Sequence, residues 1–479
     1  MHNLPFPVSG KTRNEHDLLG DRAVPVEALF GVQTLRGIEN FQISCAHLSD
    51  YPDFIKALGY IKMGAALANH ELGLMETPVK DAIVAACQEL IEGKHREHFP
   101  LDMVQGGAGT SVNMNANEVI ANRALEIMGK QRGDYSFCHP NDHVNMAQST
   151  NDAYPSAVHL AFWITHTTVR TSLLALIASF ENKASEFANI IKMGRTQLQD
   201  AVPMTLGQSF GAYATALKNE VQNLDRAAQK FLFINMGATA IGTGITAEPG
   251  YAQACIKHLR QITGWVILLA ADLVEATHDT SCIYGYSSAL KAIAIKTSKI
   301  CNDLRLLSSG PRTGLGEINL PPKQPGSSIM PGKVNPVIPE VMNQICFRVI
   351  GNDLTITLGA EAAQLELNVM EPIMVLSLFE SCQWLTNGFN TLRIECVDGI
   401  TANAKHCRHL AENSIGIVTA LKPFIGYASC TEVAKEALET GGSVYQLVLD
   451  KKLLTKEQLD KILDPKYMTT PSKITELSF

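Results

Sequence analysis

Residues 288–308 read SALKAIAIKTSKICNDLRLLS. Leu290, Ile293, Thr297, Ile300, Leu304 and Leu307 recur in steps of three and four, a seam near period 3.5. Lys291, Lys296, Lys299 and Asp303 fall on the opposite face. The pattern specifies a long helix with one apolar stripe, built to lie against other helices. Comparable patterns at about 156–190, 207–232, 334–366 and 371–395 bring the number of long helices to five, and such a set predicts a bundle. Stripes wider than one bundle needs would pack subunits together.

Working outward, residues 1–52 are mixed, and helical spacing then predicts helices at roughly 53–73 and 78–93 and another from about Glu118. Toward the C-terminus short helices are expected at 431–439 and 455–463. The second has Thr455 and Gln458 in capping-box spacing, a Leu454/Leu459 staple and Pro465 beyond its end. The expected division is an N-terminal mixed, mostly helical domain at 1–147, a central helical bundle at 148–403 and a small helical domain at 404–479. A chain of 479 residues exceeds one ordinary core, which fits that division.

A hydrophobic content of 46% against 18% charged residues describes a globular protein with ample surface to bury. The net charge of −7 argues against nucleic acid or an anionic membrane as partner, so any anion must be met by a local positive site. Eleven cysteines without a CxxC pair point to free thiols in a reducing compartment. The opening Met1-His2-Asn3-Leu4-Pro5-Phe6-Pro7 lacks the charged head and apolar core of a secretory signal. The most apolar run, Trp265 to Ala271, is too short to span a bilayer. A soluble cytoplasmic protein is expected.

Four patches rich in hydroxyls and amides break the helical pattern: Gly109-Thr110-Ser111 with Asn113, Gln148 to Asp152, Gly194 to Gln197, and 326–336, which reads GSSIMPGKVNP. Any one patch alone reads as a helix cap. Four together point to one shared polar pocket. The last must be a shaped loop, because Gly326, Pro331, Gly332 and Pro336 exclude regular structure. Its hydroxyls, Lys333 and Asn335 suit a small anionic substrate. It is not a P-loop, since the glycine spacing is one residue too long and Val334 stands where a magnesium-binding hydroxyl is needed. Nor do Ser327 and Lys333 have the S-x-x-K spacing of a Ser-Lys hydrolase. Pro140 spoils the helix that His139 and His143 would need to share a metal, and His406, Cys407 and His409 read as a solvated helix face.

Together these motifs resemble the aspartase/fumarase superfamily. The 326–336 loop is similar to its signature loop. The blocks at 31–41, 107–115, 148–152, 192–200 and 237–244 are similar to further family blocks in the same order. The resemblance implies a mainly α, three-domain fold whose long helices form a tetrameric helical core, with each active site built from three subunits. It also implies reversible deamination of L-aspartate to fumarate and ammonia, with fumarate hydration or another fumarate-releasing cleavage as the alternative. Ser327 matches the family's general base, and Thr110, Ser149, Thr150 and Ser328 match the residues that hold the side-chain carboxylate. Lys333, Asn335 and Thr196 match contacts of the α-carboxylate, and Asn151 matches a contact of the amino group. Met330 would shape the closed loop, and Glu340 would give electrostatic support. Gln197 stands where many relatives, fumarases in particular, carry histidine, which favours the ammonia-lyase branch and removes a titrating partner from Glu340. No cofactor and no metal ligand are implied, and activation by a divalent cation is left open. The implied partners are a small dicarboxylate or amino-acid substrate and further copies of the chain.

Overall fold

The computed structural model describes residues 6–471. The reading of the N-terminus as lacking a secretory signal rests partly on residues 1–5, outside the described residues. Chain order begins with a hairpin of β1 (Thr12–Asp17) and β2 (Gly20–Pro25), followed by α1 (Val32–Asn40), α2 (Pro52–Glu71), α3 (Thr77–Ile91) and α4 (Thr110–Ile127). Then come α5 (Thr150–Glu186), the hairpin β3 (Ile191–Thr196) and β4 (Gln199–Thr205), and α6 (Leu206–Gln229). Two-residue strands β5 (Phe233–Ile234) and β6 (Leu268–Leu269) pair in parallel around α7 (Tyr251–Thr263). The short α8 (Glu275–His278) precedes α9 (Ser281–Leu307); β7 (Ile318–Asn319) pairs later with β8 (Thr401–Ala402). Helices α10 (Val337–Glu361) and α11 (Glu371–Glu395) complete the long set, and α12 (Ala404–Asn413), α13 (Val418–Thr440), α14 (Val444–Asp450), α15 (Lys456–Ile462) and α16 (Pro465–Met468) close the chain.

The seam that predicts α9 is buried at every position, from Leu290 at 0% exposure to Leu307 at 7%. The fold is thus mainly helical, as the periodicity predicts. Two element boundaries differ from expectation. Helix α4 starts at Thr110, not near Glu118, because Asn113, Asn115 and Asn117 find side-chain partners elsewhere and cease to compete for the helix backbone. The expected short helix at 431–439 is the end of α13, which kinks at Gly426 with φ +77°. At α15, Thr455 and Gln458 form the capping box read from the sequence.

The chain divides into two compact units, with boundaries inside α5, α6, α9, α10 and α11. One holds the residues up to Arg170 with Gln222–Ala292 and Phe347–Leu385. Its core includes the rings of Phe162 and Phe379, centroids 4.4 Å apart, and Phe54 edge-on to Tyr154 at 5.6 Å. The other holds Thr171–Val221, Ile293–Cys346 and the residues from Thr386 onward. There Phe187, Phe210 and Tyr213 pack edge-to-face, and Leu421, Val433, Val448 and Leu459 form a separate apolar cluster. Helix α5 is long and apolar enough to cross a membrane by length and composition, but Tyr154, Val158, Phe162, Leu173 and Phe180 along it are buried in the protein, as in a core helix.

Candidate active site

In the first unit, Gly109 sets the start of α4. Its φ is +85°, and a Cβ there would lie 2.4 Å from the Tyr154 ring, so only glycine fits. Thr110 follows at the helix start, exposed, with its hydroxyl donating to Gly107 O at 2.8 Å. One turn on, Asn113 donates its side-chain amide to Thr150 Oγ1 at 3.2 Å and to Asn145 Oδ1 at 3.1 Å. Thr110 and the 149–151 segment are therefore tied to one region.

That segment is held from below by Asp152, which is fully buried. Its Oδ1 accepts from Ser149 N at 2.9 Å, and its Oδ2 accepts from Gly237 N and Thr239 N at 3.1 and 2.9 Å. Burial pushes its carboxyl up to about 6, against the pull of these three N–H groups. Asn151 donates to Ala240 O at 2.8 Å, and Ser149 Oγ accepts from Asn151 N at 3.2 Å, which leaves the Ser149 hydroxyl proton free to donate. Ser149, Thr150 and Asn151 are all half-buried, within reach of a ligand.

The remaining predicted site residues lie in the second unit. Across the 326–336 loop, Gly326 N donates to Lys333 O at 2.7 Å, and Asn335 Nδ2 donates to Gly326 O at 3.0 Å. A Cβ on Gly326 would meet Lys333 O at 2.7 Å and Asn335 N at 2.9 Å. Ser327 Oγ accepts two backbone N–H groups, from Ile329 at 3.2 Å and Met330 at 3.1 Å. Ser328, Met330 and Lys333 are exposed, and Lys333 forms no ion pair among the described residues. Glu340 lies in the first turn of α10.

Thr196 and Gln197 sit exposed at the tip of the β3–β4 hairpin, where Thr196 faces Gln199. Gln197 and Leu198 both take the left-handed conformation, with φ +56° and +65°, as a two-residue hairpin turn requires. Neither residue type favours it, so the paired strands hold the turn at a cost in backbone strain. The base of the hairpin is fixed by Glu317, 0% exposed, which meets Lys192 Nζ at 2.9 Å and Arg195 at 2.6 Å.

Sequence reading misses this buried triad and also Lys62, a fully buried lysine on α2 that meets Asn145 and Gln148. The available signal was a lysine beside Ile61 on the apolar stripe of α2. The histidines and cysteine set aside as metal ligands are engaged in other ways. His139 Nδ1 accepts N–H groups from Asn141 and Asp142, and His143 Nδ1 accepts that of His139. His406 bonds Leu315 O, and Cys407 turns inward. Away from these patches, ligand atoms of His95, Glu97 and His98 lie within 4.8 Å of one another. His95 is bonded to Glu89 at 2.7 Å, and His98 accepts the Leu29 N–H at 3.4 Å.

The family described as "Lyase" matches residues 20–351, and the one described as "Fumarase C C-terminus" matches 417–470. The chain is 55% identical to an aspartate ammonia-lyase of Pseudomonas aeruginosa, over 97% of this chain and 98% of that one. It is 53% identical to that of Escherichia coli K12, again over 97% and 98%. Its fold matches a Brucella melitensis structure described as fumarate lyase:delta crystallin bound to cobalt, with TM-score 0.94, 53% identity, and 96% and 100% of the two chains covered. A class II fumarase from Schistosoma mansoni matches at TM-score 0.90 and 34% identity, covering 96% and 100%. With identity of this depth over nearly its whole length, the chain belongs to the aspartase/fumarase superfamily of lyases.

Proposed function

We propose that this protein is a carbon–nitrogen lyase that reversibly deaminates L-aspartate to fumarate and ammonia, with Ser327 as the base. Ser327 takes a proton from the carbon beside the side-chain carboxylate, and the electron pair moves into that carboxylate as an enediolate. Its collapse forms the C=C bond as the C–N bond breaks and the amine leaves. The difficult species is the enediolate, with two negative charges on one carboxylate, so catalysis depends on groups that hold it more strongly than the substrate. Thr110, Ser149, Thr150 and Ser328 are the hydroxyl donors for it. Lys333, Asn335 and Thr196 hold the α-carboxylate, Asn151 meets the amino group, and the neutral amide of Gln197 hydrogen-bonds the substrate. Met330 shapes the loop, and Glu340 adds electrostatic support.

The observation that carries the base assignment is the pair of N–H groups, from Ile329 and Met330, aimed at Ser327 Oγ. Donors already pointed at that oxygen lower the cost of its anionic form, which is what a serine needs to act as a base. The amide at Gln197 and the higher identity to aspartate ammonia-lyases than to the fumarase favour deamination over hydration.

The working form is a homotetramer with shared sites. On α10, Phe347, Leu354 and Leu358 are 61%, 60% and 60% exposed and spaced by seven and four, a seam that fits a second copy. We read the domains as 1–147, 148–403 and 404–479. Family enzymes need no organic cofactor; metal activation is a separate question that direct titration with divalent cations answers. The eleven free cysteines, ten of them buried, support a cytoplasmic location, and no nucleic-acid or membrane partner belongs to this reading.

The test offers the purified protein L-aspartate, L-malate, argininosuccinate and adenylosuccinate separately while fumarate is followed. Release from aspartate alone is expected. Release from malate but not aspartate would move the chain to the hydratases.

A further inference from the structure

Lys62 is 0% exposed, yet its ammonium has two neutral partners: Asn145 Oδ1 at 2.9 Å and Gln148 Oε1 at 2.8 Å. Both amides are locked from their other ends. Asn145 Nδ2 donates to Gln148 O at 3.1 Å, and Gln148 Nε2 donates to Val144 O at 3.0 Å. Flipping either amide would turn an NH2 group against the ammonium, so the cation dictates that both present oxygen. Asn145 Oδ1 then gathers two further donors, the amides of Asn113 at 3.1 Å and Asn117 at 3.2 Å. Because Asn113 must point its NH2 that way, the same group donates to Thr150 Oγ1 at 3.2 Å. A hydroxyl oxygen occupied by a donor turns its own proton outward, where a carboxylate can accept it.

We propose that Lys62 is a positioning residue of the side-chain carboxylate site: through Asn145 and Asn113 it aims the Thr150 hydroxyl, and its buried charge favours the doubly negative enediolate over the singly negative carboxylate. This rests on the reading of the 149–151 segment as that site. The titratable groups facing Lys62 are Asp152 on α5 and Cys87 on α3. Asp152 already accepts three backbone N–H groups, so it is a weak counter-charge. Burial pushes the ammonium down to about 7, so a dianion arriving nearby also restores its proton.

A charge that acts through the transition state is separated from one that merely supports the fold by two inhibitors. Succinate carries the ground-state carboxylate. The nitronate of 3-nitropropanoate puts in its place a planar C=N(O)O group whose two oxygens each carry a formal negative charge, as the two oxygens of the enediolate do. In Lys62→Met, nitronate binding is expected to weaken about 100-fold, with kcat/KM for L-aspartate falling in parallel and succinate binding changing less than about threefold. Asn113→Leu, which cuts the link to Thr150 and leaves the lysine, should show the same divergence and serves if the first variant does not fold. Equal losses for the two inhibitors, or no loss for either, would overturn the role of Lys62. A parent protein that binds both inhibitors yet releases no fumarate from aspartate would instead contradict the proposed reaction.

Discussion

Ser327 Oγ sits 3.1 Å from the backbone nitrogen of Met330, three residues further along its own loop, and accepts that N–H. The serine is thus preorganised by the loop that carries it. What holds the loop in shape is therefore as important as the side chains it presents.

Gly326 is the first test of that point. Its N–H closes the loop on Lys333 O at 2.7 Å, and a methyl group there would push on the same oxygen. Gly326→Ala is expected to lower kcat about 10- to 100-fold, since small misplacement of catalytic groups is costly, while the melting temperature stays within a degree or two. Steady-state kinetics beside thermal unfolding check the split.

Glu317 makes a prediction about stability. Its carboxylate is fully buried between Lys192 and Arg195. Replacing it with alanine leaves the buried Lys192 without its carboxylate and the partly buried Arg195 with only Asp200, 4.0 Å away, a loss of about 3–5 kcal/mol in comparable cases. Denaturant unfolding of Glu317→Ala should show a loss of that order, and KM for aspartate should rise because the hairpin bearing Thr196 loses its anchor.

Glu371, at the start of α11 and 7% exposed, gives a signed pH dependence. Burial raises its carboxyl from 4.5 to about 8. The folded protein then keeps a proton that the unfolded chain gives up above 4.5, so this group's contribution to stability is present below that value and is lost as pH rises to about 8. Glu371→Gln removes the loss. Its melting temperature should exceed the parent's by a few degrees at about pH 8, and the difference should shrink toward about pH 5.

The exposed seam of α10 predicts assembly. Leu354→Glu places a charge on the face assigned to a second copy, 60% exposed in the single chain. Solution scattering should report a tetramer for the parent and smaller species for the variant, with activity lost in step because the sites are shared.

How much of the molecule is legible in its sequence follows from the range of the forces involved. The α9 seam is legible because burial repeats every few residues, and the Thr455–Gln458 cap because its partners are three residues apart. The start of α4 is not, since the fate of Asn113 is settled by Asn145 and Thr150, more than 30 residues away. Gln197 and Leu198 give no turn signal, because their left-handed conformation is imposed by the strands that they join. Lys62 looks like an ordinary helix lysine, and only the fold shows that water never reaches it.

The most direct measurement compares fumarate release from L-aspartate by the parent and by Ser327→Ala, with succinate binding measured on both. The parent is expected to release fumarate, and the variant to fall by about 10³-fold with succinate affinity unchanged, as loss of a general base requires. A parent that releases none, or a variant within a few-fold of it, would contradict the account.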